Sequence, residues 1–187
     1  MSYEEYNRIN NSVHFRPFIH CLSQDGIYQN TEEHSLDYYS LYQFHYFAAM
    51  YFKREYFNKQ TEIDLSNFSP KEPTNSLLFL PEHLITKAVE IKKIIMMYMR
   101  DLPIIGNPSK WLDQITEALK EPYLKDEIYC FLIKQLTANM QSSSEMYGWE
   151  LLNFVLSVAK PSRTLFSYIL FSIFQSLLDN EIHVLSY

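Results

Sequence analysis

From residue 36 onward the chain is written largely in helical periods, broken at prolines. "LDYYSLYQFHYFAAMYFKREYF", residues 36–57, places an aromatic on nearly every turn and predicts a helix with Ser35 as N-cap. The segment 58–76 reads as a connector, because Pro70 and Pro73 oppose a helix through it. Behind Pro81 a second helix is expected over 82–101. Leu84, Ala88, Ile91, Ile95, Tyr98 and Met99 fall on one face, and Glu90, Lys93, Arg100 and Asp101 opposite.

After Pro103, Gly106 and Pro108, "SKWLDQITEALK" predicts a short amphipathic helix with Ser109 as a candidate cap. Pro122 suits a first helical turn, and the helix it opens should reach Met140. Its apolar arc is Tyr129, Leu132, Ile133, Leu136 and Met140, with Glu127 and Lys134 opposite. Asp126 and Glu127 are placed to favour the positive N-terminal end. Ser142 and Glu145 have capping-box spacing for a further helix, which Pro161 closes. Ser162 can cap a last helix to about Asn180. Residues 1–35 show no clear period and read as an irregular arm. The expected fold is all-α: a compact bundle of about six or more helices, residues 36–187, with that N-terminal arm.

Composition narrows this picture. Only three glycines among 187 residues argue against tight hairpins and against a glycine-rich phosphate loop. The net charge is −6, with five basic against nine acidic residues in the first 70, so direct nucleic-acid binding is not expected. The longest uncharged apolar stretch, Thr164 to Leu178, has 15 residues including three serines and a glutamine, too short and polar to span a bilayer. The acidic, polar N-terminus does not resemble a signal peptide, and two isolated cysteines suit a reducing compartment, so a cytoplasmic setting is expected.

Candidate chemistry is thin. His14, His20 and Cys21 would need a distant fourth ligand to hold zinc, so no metal or cofactor is expected. Cys130 lies four residues before Lys134, a spacing that could favour a thiolate and a small cysteine-dependent enzyme. No histidine lies nearby in sequence, and packing at a helix seam explains the thiol better. Gln135 and Asn139 stand on the flank of an apolar arc, where buried amides need partners; they are expected to pin adjacent inter-helix connections. Gly148 shares a face with Leu152, Val155 and Ala159, and predicts close approach of another helix, the preceding one above all.

Two passages, "LKDEIYCFLIKQLTANMQSSSEMYGWELLNFVLSVAKPS" and "KAVEIKKIIMMYMRD", resemble the myosin tail homology 4 domain of unconventional myosins, a plant kinesin and certain Rho GTPase-activating proteins. The likeness begins at "YYSLYQFHYFAAMYFKREYF" and "EPTNSLL" and ends at "SYILFSIFQ", about residues 36 to 180. Asp126-Glu127-Ile128-Tyr129, Lys134-Gln135, Asn139 and Gly148-Trp149-Glu150-Leu151-Leu152 carry it. Two positions depart: Arg100 stands where the family usually has glycine in a Met-Gly-Asp turn, and Leu136 where threonine is common.

The resemblance implies a non-catalytic, cytoskeleton-associated interaction module, usually followed by a FERM domain and binding cargo tails or microtubules. In the GTPase-activating relatives it implies a role in localisation and signalling beside a catalytic domain. Contact with acidic tubulin would fall to Lys92, Lys93 and Arg100; with Glu90 and Asp101 beside them, electrostatics favours a solvated face.

Overall fold

The computed structural model describes residues 40–53 and 65–185. The expected arm, Ser35, His14, His20 and Cys21 lie outside the described residues. Six α-helices follow in order: α1 Phe44–Tyr51, α2 Glu82–Tyr98, α3 Trp111–Leu119, α4 Pro122–Leu136, α5 Ser142–Val158 and α6 Arg163–Leu185. Short 3-10 turns precede α1 and α3, at Ser40–Tyr42 and Pro108–Lys110. The described residues contain no strand beyond an isolated antiparallel bridge, Phe52 to Leu78. The all-α expectation is met.

The middle of the bundle is α4, which packs against α2, α3, α5 and α6. Ile128, Tyr129, Cys130, Phe131, Leu132 and Ile133 are consecutive and all buried, so this helix has no solvent face along that run. The expected two-sided pattern, with Glu127 and Lys134 facing outward, is therefore wrong for α4: Glu127 is 1% exposed. Ile91, Ile95, Met96 and Met99 of α2 and Leu151, Leu152 and Val155 of α5 complete the core around it.

Several helix ends fall elsewhere than periodicity placed them. In 36–57, the described part is a 3-10 turn, a break at extended Gln43, and only eight helical residues. Phe52 turns extended so that the chain pairs with the lead-in to α2, residues 72–78, Lys53 N–H donating to the Leu77 carbonyl at 2.9 Å, while its ring enters the aromatic cluster of Phe44 and Phe47. Helix α4 stops at Leu136, not Met140, because Thr137 turns extended and gives its carbonyl to Phe68 N–H at 2.8 Å. Met140, expected in the apolar arc, is 93% exposed as a result.

Asn107, not Ser109, caps the α3 region, its Oδ1 accepting from the Ser109 N–H at 3.1 Å. The Ser142–Glu145 capping box is absent because α5 begins at Ser142 itself; Glu145 instead accepts from the Trp149 indole at 3.4 Å. Ser162 Oγ does accept from Leu165 N–H at the start of α6, at 3.4 Å. That helix runs past Asn180 to Leu185, with no proline or glycine in "EIHVL" to stop it.

Helix α2 ends at Tyr98, short of Asp101, in a left-handed turn. Arg100 has φ 69°; Asp101 N–H reaches back to the Met96 carbonyl at 2.8 Å and Arg100 N–H to Met97 at 3.2 Å. That double bond pattern is a Schellman motif, in which glycine is favoured and an L side chain costs about 1 kcal/mol. The departure at Arg100 thus occupies the conformation for which a glycine would be suited.

Gly148 explains how three helix segments meet. A Cβ placed there would lie 2.7 Å from Leu136 Cδ2 and 2.7 Å from Met99 Cε. The end of α4 and the end of α2 therefore both press on α5 at this point. Gly148→Leu is expected to lower stability by about 1–3 kcal/mol through overpacking, read by urea denaturation.

Candidate functional site

Polar side chains on α4 hold the irregular segments that the helices leave behind. Glu127 lies entirely inside the molecule. Its Oε1 accepts from Leu77 N–H at 2.7 Å, its Oε2 from Leu78 N–H at 2.8 Å, and Lys92 Nζ of α2 stands 2.9 Å from Oε1. Lys92 also donates to the Asn75 carbonyl, and its side chain is 1% exposed. Burial lowers the Lys92 pKa, and the Glu127 charge opposes that shift. The pair ties the segment at residues 75–78 to the second turn of α4 and the third turn of α2, in surroundings where water cannot satisfy either charge.

Further along α4, Lys134 Nζ donates to the carbonyls of Leu65 (2.8 Å) and Asn67 (2.5 Å). Gln135 exchanges two bonds of 3.1 Å with the backbone of Ser69, its oxygen accepting and its amide donating. Asn139 takes the Gln141 N–H at 2.9 Å and donates to the Gln135 carbonyl at 3.0 Å and Ser144 Oγ at 2.9 Å. At the other end, Asp126 Oδ1 accepts from Ser162 N–H at 2.9 Å, joining α4 to the start of α6. Asp126 and Glu127 were expected to serve the helix dipole; their oxygens serve two separate connections instead.

Trp149 is half-buried against the core. Cys130 is fully buried, and burial pushes its thiol well above the ordinary range. The Lys134 ammonium faces the carbonyls of Leu65 and Asn67. These positions give Cys130 the role of core packing and leave it no water-accessible face from which to attack a substrate.

The three basic positions set out as a tubulin surface do not form one. Lys92 is withdrawn into the core, which removes it from any external surface. Lys93 is 41% exposed and paired with Glu72 at 2.6 Å. Arg100 is exposed, and its guanidinium lies 5.3 Å from the centre of the Tyr147 ring. Sequence spacing had put the three together because Lys92 and Lys93 are adjacent, yet on a helix adjacent residues diverge by about 100°. The Lys92 burial had a signal: Ala88, Ile95 and Met96, at −4, +3 and +4 from it, are all buried.

One further carboxylate was missed. Both oxygens of Asp101 are buried without a hydrogen-bond partner, beside the Arg100 turn. Burial raises its pKa from the usual 3.8, with the nearby Ser144 hydroxyl pulling the other way. Among the described residues, no group of three or more histidine, cysteine or acidic side chains could hold a metal ion, and no helix is long and apolar enough to cross a membrane.

Two predictions follow from charge and burial. Lys92→Met leaves Glu127 buried without its cation and is expected to cost about 3–5 kcal/mol, whereas Lys93→Met one position along costs under about 1 kcal/mol in the same urea titration. Asp101 binds its proton more tightly folded than unfolded, so its stabilising contribution is full below pH 3.8 and is lost as pH rises through the raised value. Asp101→Asn should therefore gain on the wild type as pH rises across that window, and equal stability changes at every pH would refute this.

Comparison with known proteins bears on the same helices. Residues 112–185, α3 through α6, match the model of the MyTH4 domain. The chain is 33% identical over 138 residues to the myosin-I heavy chain of Dictyostelium discoideum, covering 69% of this chain and 6% of that protein. Myosin-VIIa of Drosophila melanogaster is 48% identical over 63 residues, covering 31% of this chain and 3% of that protein. The chain thus spans only a small part of these relatives. Among solved structures, the MyTH4-FERM MF1 domain of Dictyostelium discoideum myosin VII superposes with a TM-score of 0.63 at 28% identity, over 77% of this chain and 30% of that one. The human myosin 7b C-terminal MyTH4-FERM domain, solved in complex with the harmonin-a PDZ3 domain, gives 0.60 at 32% identity, over 68% of this chain and 27% of that one. The residues that carried the resemblance, from Asp126 to Leu152, lie in the matched helices, and the chain belongs to the MyTH4 domain family.

Proposed function

We propose that this chain is a non-catalytic protein-interaction module of a cytoskeletal motor tail, which holds a partner protein together with an adjoining FERM domain. The observation that carries this reading is the superposition on MyTH4-FERM structures of class VII myosins, one of them solved with a bound PDZ domain. The supporting chemistry is the way α4 spends its polar groups: Asp126, Glu127, Lys134 and Gln135 all serve internal connections, which suits a rigid scaffold. Its place in the cell on this reading is the cytoplasm, on cytoskeleton-associated proteins.

Filament binding is the weaker variant of this function. Acidic tubulin needs an unneutralised basic surface, and here Lys92 is buried and Lys93 is paired with Glu72. Sequencing the transcript beyond residue 187 tests the main reading: a FERM domain is expected, and a GTPase-activating domain in its place would move the module to a Rho-regulating protein. Co-sedimentation with microtubules at low salt tests the variant. The chain is expected to remain in the supernatant; pelleting that Lys93→Glu abolishes would establish filament binding instead.

A further inference from the structure

Ser69-Pro70 is the one place in the 187 residues where serine or threonine precedes proline. Proline has no N–H to satisfy, and it biases the residue before it toward extended backbone. A protein kinase whose cleft offers no acceptor just after the target serine selects that pair, because any other residue would leave its N–H unpaired there. The surrounding chain suits such a reader: residues 67–74 lie outside the helices, and Pro70, Lys71 and Glu72 are exposed. Ser69 itself is half-buried. Gln135 holds its backbone N–H and carbonyl by bonds of 3.1 Å each, and its side chain is left outside this clamp.

Its hydroxyl is available. Ser69 Oγ accepts from Lys71 N–H at 3.3 Å, a bond at the exposed surface, and donates to no group among the described residues. Neighbouring hydroxyls are spent: Ser76 Oγ, fully buried, donates to the Leu78 carbonyl at 2.9 Å, and Thr137 Oγ1 to the Ile133 carbonyl at 2.7 Å. A phosphate on Ser69 would meet positive groups at once. The Lys71 N–H is already aimed at Oγ, and the Lys71 ammonium has no carboxylate within ion-pair distance among the described residues. Ser69, Lys71 and Lys134 line one cavity of about 600 Å³, which gives the added oxygens room. Lys134 contributes charge from the wall while it stays bonded to the Leu65 and Asn67 carbonyls. Glu72, an acid in the same wall, is taken by Lys93 at 2.6 Å.

We propose that Ser69 is a phosphorylation site for a proline-directed protein kinase, with Lys71 as the counter-ion of the phosphate. In that step Ser69 Oγ attacks the γ-phosphorus of ATP; the new O–P bond forms as the bond to the β-phosphate oxygen breaks. ADP leaves, and the hydroxyl proton passes to the kinase's carboxylate base. A phosphoserine carries about −1.5 to −2 charges at pH 7, enough to cancel the two ammonium charges of Lys71 and Lys134. The stretch beside the end of α4 thereby becomes a charge switch, whichever partner the domain binds.

The test incubates the whole folded chain with a purified mitogen-activated protein kinase and magnesium-ATP, followed by intact mass and peptide mapping. One phosphate is expected, on Ser69. Ser69→Ala should lose it and Pro70→Ala should lose most of it, both at the melting temperature of the wild type. In phosphorus NMR the second ionisation of the phosphoserine is expected below its usual value of about 6, because a neighbouring ammonium favours the dianion. Lys71→Met should move it back up. Two results would each overturn the site: no incorporation into the folded chain while a free peptide of residues 65–76 is labelled, or undiminished incorporation into Ser69→Ala. An ionisation that Lys71→Met leaves unmoved would overturn the counter-ion.

Discussion

The structure depends on one buried ion pair, Lys92 with Glu127. Taking both charges out of water costs several kcal/mol for each, and mutual attraction alone often fails to offset it. Here the two side chains also bond backbone groups of the segment at residues 75–78: the N–H groups of Leu77 and Leu78 and the carbonyl of Asn75. Those groups belong to an irregular segment pressed between α2 and α4, where neither helix nor sheet can pair them. An apolar pair of equal volume would spare the charges and remove all three of these bonds. The ion pair is therefore a way to bury a loop, and its worth lies in the loop.

The same logic runs the length of α4. A helix in the centre of a bundle would ordinarily be apolar on all sides. This one carries Asp126, Glu127, Lys134 and Gln135, and each goes to a different place outside the six helices: Ser162 before α6, the segment at Leu77 and Leu78, the stretch at Leu65 to Asn67, and Ser69. Asn139, just past its end, organises the turn into α5. The helices pack because α4 is apolar between these residues, and the connections are ordered because it is polar at them. Gly148 adds the remaining constraint, letting α5 come close enough for Leu136 and Met99 to fill the place of its missing side chain.

Periodicity in the sequence showed where α2, α4 and α5 run, since apolar spacing over many residues reports directly on a buried face. It misplaced the ends of α1, α2 and α4. Thr137 leaves the helical path to bond Phe68, and Phe52 leaves it to pair with Leu78; both decisions are made by residues more than twenty positions away. Local propensity carries no information about such partners. The polar core was half legible. Gln135 and Asn139 stood out because amides beside an apolar arc must find acceptors and donors, whereas Lys92 and Glu127 were read by their charge and assigned to the outside. Their neighbours at three and four residues said otherwise: Ala88, Ile95 and Met96 for one, Leu124, Cys130 and Phe131 for the other, all buried.

Three basic residues on one short stretch of α2 and its turn show why a binding surface is harder to read than a core. Lys92 meets an acid in the interior, Lys93 meets Glu72 at the surface, and Arg100, among the described residues, meets an aromatic ring and no acid. Their charges are identical, and what separates them is where the chain has placed its carboxylates. A cation already paired has little left to offer an acidic partner, because the newcomer must replace a bond rather than add one. Arg100 escapes pairing since Asp101, the nearest acid in sequence, is turned inward by the same left-handed turn that turns Arg100 outward. The turn that glycine would make without strain thus separates an adjacent acid and base, leaving one buried without a partner and the other exposed without one.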